Sequence, residues 1–170
     1  MIKNVIGRIL HTIAFVVPFG SSLRPALHRM RGVRIGKNVW ISKYVYLDEN
    51  HPECITIGDN STIGFRSTVF AHTYFGPRLK NNPDKVVIGN NVFIGPHCLI
   101  LANVTIGDNC VIKGGTVVTR NVPPNTMLAM PSPEAIATLT VPLTSEHSYE
   151  EFVKGIKPIR KKIIKQKEDK

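Results

Sequence analysis

From Ile88 to Pro123 the sequence reads IGNNVF, IGPHCL, ILANVT, IGDNCV, IKGGTV, VTRNVP: six consecutive hexads with a branched aliphatic at the first place of each. Those first places are Ile88, Ile94, Ile100, Ile106, Ile112 and Val118, and the fifth places hold the small or modest residues Val92, Cys98, Val104, Cys110, Thr116 and Val122. A period of six does not suit an α-helix, because 3.6 residues per turn would spread the aliphatics around the whole circumference. Short strands joined by sharp corners keep every first-place residue inward and let successive coils stack them, which is the pattern of a parallel β-helix. The register starts earlier, with IGKNVW at Ile35 and ISKYVY at Ile41, where Gly36 is expected to supply a tight corner. It resumes with IGDNST at Ile57, IGFRST at Ile63 and VFAHTY at Val69.

Two interruptions stand out. Leu47 to Ile57 is too long for one hexad, so HPEC is expected to bulge as a small corner loop. Between Tyr74 and Ile88 the aliphatic and small places are lost, and Gly76, Pro77, Asn81, Asn82, Pro83 and Asp84 read as a loop, assigned to 75–87, that projects from the coil. Loops on a rigid solenoid are where function is commonly mounted. His72 stands immediately before this loop and His97 in IGPHCL, each fourth in its hexad, at a corner expected to face solvent or a neighbouring subunit. Imidazole is tuned near neutral pH for proton transfer, so His72 is the candidate base, with His97 as the alternative.

Charge locates the ends. The chain of 170 residues carries a net charge of +10, with seven Lys/Arg and no acid in residues 1–37, and a lysine-rich C-terminus. The repeat body is slightly acidic and lacks a basic face interleaved with aromatics, which argues against nucleic-acid binding. Three cysteines without a framework spacing suit a reducing compartment, and Cys98 and Cys110 occupy inward places as free thiols. Ile2, Val5, Ile6, Ile9, Leu10, Ile13 and Val17 fit one face of an N-terminal helix, expected to pack on the coil's flank or a neighbouring subunit. A peripheral contact with anionic membrane, helped by Arg24, Arg29, Arg31 and Arg34, is the other expectation for this segment. A short helix is expected to begin near Ser145 or Ser148 and to break at Gly155 and Pro158.

The repeats resemble those of the left-handed hexapeptide-repeat acyltransferases, and ITIGDN followed by a histidine-bearing loop and IGNNVF looks most like the galactoside and maltose O-acetyltransferase branch. The resemblance implies an all-β fold, a left-handed parallel β-helix over 33–136. It is flanked by a short amphipathic helical segment at 1–32 and a C-terminal extension at 137–170 with a helix and basic tail. It implies a cytoplasmic acetyl-CoA-dependent O-acetyltransferase, working at the inner face of a membrane if the N-terminus touches one. The enzyme would be a homotrimer with active sites between subunits, a sugar or glycan as acceptor and no metal. His72 is then the catalytic base. Asp48 and Glu49 match the acidic pair that helps hold the acceptor, with Arg78 of the loop beside them, though both carboxylates also read as solvated corner groups. Gly114, Gly115 and Thr119 match the small residues along the pantetheine arm, Arg120 the cation facing the nucleotide phosphates, and Phe93 an apolar wall. MPSPE, with Glu134, departs from the family's glycine-bearing basic turn after the coils.

Two other classes compete with this reading. A zinc carbonic anhydrase on the same coil needs a histidine pair five residues apart, but Ala102 follows His97 at that spacing and Pro77 follows His72. A non-catalytic β-helix scaffold needs neither a histidine beside a loop nor glycines near Arg120. A serine acetyltransferase would normally bring a larger helical N-terminal domain.

Overall fold

A computed structural model describes residues 2–72 and 84–159, which form two compact units, Met1–Met130 and Pro131–Lys170. In the first unit three parallel sheets wrap into a left-handed β-helix. One sheet stacks β1 (Arg34–Ile35), β4 (Ile55–Ile57), β7 (Val86–Ile88) and β10 (Val104–Ile106). The second stacks β2 (Trp40–Ile41), β5 (Thr62–Ile63), β8 (Phe93–Ile94), β11 (Val111–Ile112) and β13 (Met127–Leu128). The third stacks β3 (Tyr46–Leu47), β6 (Thr68–Val69), β9 (Leu99–Ile100) and β12 (Val117–Val118).

Register follows the hexads. Ile35, Ile57, Ile88 and Ile106 pair in line on the first sheet, Ile41, Ile63, Ile94, Ile112 and Leu128 on the second, and Leu47, Val69, Ile100 and Val118 on the third. All but Ile35 and Leu128 are at most 1% exposed, and the fifth-place residues Val92, Cys98, Val104, Cys110, Thr116 and Val122 are buried beside them. Each coil alone exposes its aliphatics at both ends, so stacking is what buries them.

The corner between the first and second sheets is made by asparagine. Asn38, Asn60, Asn91, Asn109 and Asn125 all adopt the left-handed conformation, with φ between 53° and 58°. Their side-chain amides donate from one coil to the next at 3.0–3.2 Å. The turning residue is therefore Asn38 and not Gly36, whose φ is unexceptional. Glycine is required two places earlier because the coils approach too closely for a side chain: a Cβ on Gly58 would lie 2.6 Å from the backbone of Gly89.

Corner bonds link residues 18 apart where the coil is regular, 22 apart across HPEC and 31 apart across the segment after His72. Both insertions thus fall at the same corner, between the third sheet and the first. HPEC forms a 3-10 turn at Pro52–Cys54. The longer insertion contains residues 73–83, outside the described residues, and with it most of the loop assigned to 75–87 and Arg78; Val86 and Val87 belong to β7.

Two helices precede the coil, α1 (Ile2–Val16) and α2 (Leu23–Met30). Of the packings expected for α1, that of its aliphatic face on its own coil's flank does not occur. Val5, Ile6, Ile9 and Ile13 are 41–54% exposed, whereas His11 and Ala14 are buried, the His11 ring lying 5.1 Å from that of Tyr46. Small Ala14 permits close approach and His11 fills the gap, so the aliphatic stripe points away from its own coil. Nor are all four arginines surface cations. Arg24 and Arg31 are 4% and 8% exposed, and Arg24 donates to Val17 O at 2.8 Å and Ile41 O at 2.5 Å. Arg29 and Arg34 remain at the surface.

In the second unit Ser148 caps α3 (Tyr149–Lys154) through a reciprocal capping box with Glu151, as its sequence position predicts. Gly155 ends the helix, and the chain returns as β15 (Ile156–Pro158), antiparallel to β14 (Ala137–Leu139). These short strands carry no alternating pattern, so the sequence does not signal the pairing.

Candidate active site

The corner between the third and first sheets gathers the chemistry. The strands β3 and β6 are paired, Leu47 opposite Val69, so the residues just past their ends leave the sheet side by side. Those residues are Asp48 and, after Phe70 and Ala71, His72. Asp48 is fully buried, so it is not a solvated corner carboxylate. Its Oδ1 accepts from the backbone N–H groups of Asn50 at 3.0 Å and His51 at 3.1 Å. Its Oδ2 accepts from the Ala71 N–H at 2.8 Å and from Nδ1 of His72. Four donors occupy the four lone-pair directions of one carboxylate. Burial by itself would raise the Asp48 carboxyl, but the hydrogen bonds from Ala71, His72, His51 and Asn50 together outweigh it and hold the carboxyl below its ordinary range.

An ionised carboxylate can only accept, so Nδ1 of His72 must carry a proton. In the neutral ring the lone pair then sits on Nε2, the tautomer that a general base needs. The His72 side chain is only 9% exposed, so of the two surroundings expected for it, solvent or a neighbouring subunit, open solvent does not apply. One wall is the ring of His51, 5.3 Å from that of His72, and His51 in turn lies 3.4 Å from Glu53. His51, Glu53 and Cys54 bring ligand atoms within 4.8 Å of one another at the surface, the one such cluster found among the described residues. It is not the three-histidine arrangement of a carbonic anhydrase.

Over the outer face of the third sheet, reaching the corner between the second and third sheets, runs a cleft of about 740 Å³ lined by Phe15, Tyr44, Tyr46, Arg66, Thr68 and Phe70. Tyr46 and Phe70 precede Asp48 and His72 by two residues, and the Arg66 guanidinium lies over the rings of Tyr44 and Phe65 at 5.7 and 5.4 Å. Aromatic walls with a single cation are the make-up of a small-molecule site.

The other candidates divide between corners. Glu49 is half-buried next to Asp48, while Thr119 and Arg120 are exposed at the same corner, two rungs along the axis from His72, because Val118 pairs Ile100 and Ile100 pairs Val69. That is about 10 Å at the usual strand spacing. Gly114 and Gly115 lie at the next corner, between the second and third sheets, as does His97, whose ring is 5.8 Å from that of Phe65. Phe93 stands 48% exposed on the outer face of the second sheet. Within one chain the third sheet separates His72 and Arg120 from the two glycines.

The bacterial transferase hexapeptide family (six repeats) matches residues 85–120. YvoF of Bacillus subtilis (strain 168), assigned as an acetyltransferase, is 34% identical over 122 residues, 72% of this chain and 70% of the relative. The galactoside O-acetyltransferase of Escherichia coli K12 is 37% identical over 102 residues, and the match covers 57% of this chain but only 49% of that enzyme. Among solved structures, a galactoside acetyltransferase in complex with coenzyme A superposes with a TM-score of 0.51 at 28% identity, over 75% of this chain and 76% of the other. A hexapeptide-repeat acetyltransferase of Vibrio cholerae, VCA0836, complexed with acetyl coenzyme A, gives 0.57 at 23% identity over 76% and 82%, a likeness of fold.

Proposed function

The chain belongs to the bacterial hexapeptide-repeat transferase family and is an acetyltransferase, and from that premise we propose that it carries the acetyl group of acetyl-CoA to a hydroxyl of a sugar or glycan, with His72 as general base. The observation that carries the mechanism is the buried Asp48 carboxylate on Nδ1 of His72. It fixes the tautomer and would stabilise the imidazolium that forms.

The acceptor O–H gives its proton to Nε2 as its oxygen attacks the thioester carbonyl carbon. The tetrahedral adduct collapses by breaking the C–S bond, and the imidazolium returns the proton to the departing sulfur. No covalent acyl-enzyme is needed in this scheme. Enclosure of His72 keeps water from competing with the acceptor. The aromatic cleft supports a ring-shaped acceptor, since Tyr46 and Phe70 offer it flat apolar faces.

Donor residues fit a site shared between copies. Gly114 and Gly115 cannot meet His72 across the third sheet of one chain, whereas a neighbouring subunit's corner can lie against that of His72 and complete a groove. The outer faces of the second and third sheets are suited to such contacts: Trp40, Phe93 and Met127 are 46–69% exposed on one and Val117 41% on the other. The first sheet presents Arg34, Thr56, Val87 and Thr105 instead. Two apolar flanks and one mostly polar flank suit a three-fold assembly.

The deciding experiment is a screen of sugars and nucleotide sugars with acetyl-CoA, read by release of free thiol, for wild type and His72→Ala. His72→Ala should lose about 100- to 10,000-fold in kcat while remaining folded. Undiminished turnover would remove His72 from the mechanism. Absence of thiol release with every acceptor would count against the sugar reading.

A further inference from the structure

Arg31 lies immediately after α2, far from the corner in sequence, yet it is 8% exposed and ends its side chain on the same strand end that carries Asp48. Its Nη2 donates to the Asp48 carbonyl at 2.8 Å, both Nη1 and Nη2 reach the Leu47 carbonyl at 3.3 Å, and Nη1 meets Nδ1 of His28 at 2.9 Å. The Asp48 main chain is thereby held from two sides, because its own N–H donates to Val69 O at 3.0 Å. The carboxylate is held by Asn50, His51 and Ala71, and it in turn holds His72.

A guanidinium in this place is costly. No carboxylate forms an ion pair with it among the described residues, its Nε has no hydrogen-bond partner there, and burial depresses its basicity despite Tyr46, Glu49 and Asp48 nearby. An aliphatic side chain would fill the volume without that desolvation. What it could not do is bond two successive carbonyls and a ring nitrogen at once, for which the rigid fork of arginine is suited.

We infer that Arg31 is a positioning residue for the Asp48–His72 pair, making the α1–α2 hairpin the back plate of the active site; this rests on His72 acting as the base. Arg31 touches neither donor nor acceptor in this arrangement. It fixes the Asp48 main chain, and so the direction from which the carboxylate meets Nδ1.

The test uses the full chain with 15N-labelled histidine. Imidazole nitrogen spectra are recorded for wild type, Arg31→Met, Arg31→Lys and Arg31→Gln, with Asp48→Asn as the reference for a lost orienting carboxylate. Wild type should show His72 as the Nδ1–H tautomer. Arg31→Met should shift His72 toward the mixture seen in Asp48→Asn. It should lower kcat by roughly 10- to 100-fold with KM for acetyl-CoA within twofold, because a small misplacement at the base is felt in the chemical step. Arg31→Lys keeps the charge without the fork and should restore stability but not kcat. If Arg31→Met does not fold, Arg31→Lys and Arg31→Gln carry the same comparison. Wild-type tautomer and kcat in a folded Arg31 variant would overturn the inference, as would a loss of kcat accompanied by an equal rise in KM and loss of the α2 helix signal. Should wild type itself show no turnover, the functional reading fails, and the imidazole spectra alone still decide whether Arg31 positions His72.

Discussion

Asp48 accepts four hydrogen bonds with no exposure, and every donor except His72 is a backbone N–H. Replacement by alanine would leave the buried Ala71 N–H unpaired, at a cost of about 1–3 kcal/mol before relaxation, and would free the partly buried N–H groups of Asn50 and His51. Asp48→Asn is the gentler probe. Its amide can keep some acceptors but cannot impose the Nδ1–H tautomer, so kcat should fall by about 1,000- to 10,000-fold with modest loss of stability, measured by turnover and urea unfolding on one preparation. Residue-scale electrostatics also predict an acid limit. Burial first, then Arg31, hold His11 at about 4 and His28 at about 3, so both are neutral in the fold. An unfolded histidine protonates near 6.5, so below that pH the unfolded state binds more protons and stability falls as pH falls toward 4. The loss is at most about 1.4 kcal/mol per pH unit per histidine. Asp48, held low, adds its own loss only below the ordinary carboxylate range, near pH 4 and under. Urea midpoints should therefore decline from pH 7 to pH 5, and His28→Gln should flatten that slope; an unchanged slope would exclude His28 as a source.

At the scale of elements, stacked coils depend on their ladders. Asn91 adopts φ 54° and sits between Asn60 and Asn109 in the amide ladder. Asn91→Gly loses two side-chain hydrogen bonds but accepts the left-handed backbone, whereas Asn91→Ala loses the bonds and adds roughly 1 kcal/mol of backbone strain. Alanine should be the more destabilising of the two in thermal unfolding, which reverses the usual order of these residues. Ile94→Ala, at a fully buried place between Ile63 and Ile112, should cost about 2–5 kcal/mol because the stacked strands leave little room to close the cavity. The hexads made this much readable in advance: inward aliphatics and small fifth places recur at fixed spacing, whereas the corner turn expected of Gly36 is made by Asn38. The packing of α1 was not readable, because a helix with an aliphatic stripe can turn either face to its own coil. The deciding contacts, His11 with Tyr46 and Phe15 with Tyr44, join residues more than twenty-five apart.

For the whole molecule, the separation of the two glycines from His72 is what motivates the proposed dependence of activity on association. Sizing should show a trimer, and Phe93→Asp or Val117→Asp, each on an exposed apolar flank, should weaken association and transfer together while leaving the monomer's coil folded. Coenzyme A should raise the melting temperature of wild type with its concentration. Ligand at about 100 times its Kd is worth about 2.7 kcal/mol, and a scaffold without a donor site would not respond. The sequence by itself determined the coil, its inward residues and the two places where the repeat breaks, because a six-residue period can be satisfied by few backbones. It also pointed to His72, through its place beside the longer break. Only the tertiary structure decided the partners of that histidine. Asp48 is 24 residues away and Arg31 17 further from Asp48, and they meet because both insertions fall at one corner while α2 closes against it. Such meetings are set by parallel pairing between coils and by burial of polar groups that must find donors or acceptors, and neither leaves a local pattern in the chain.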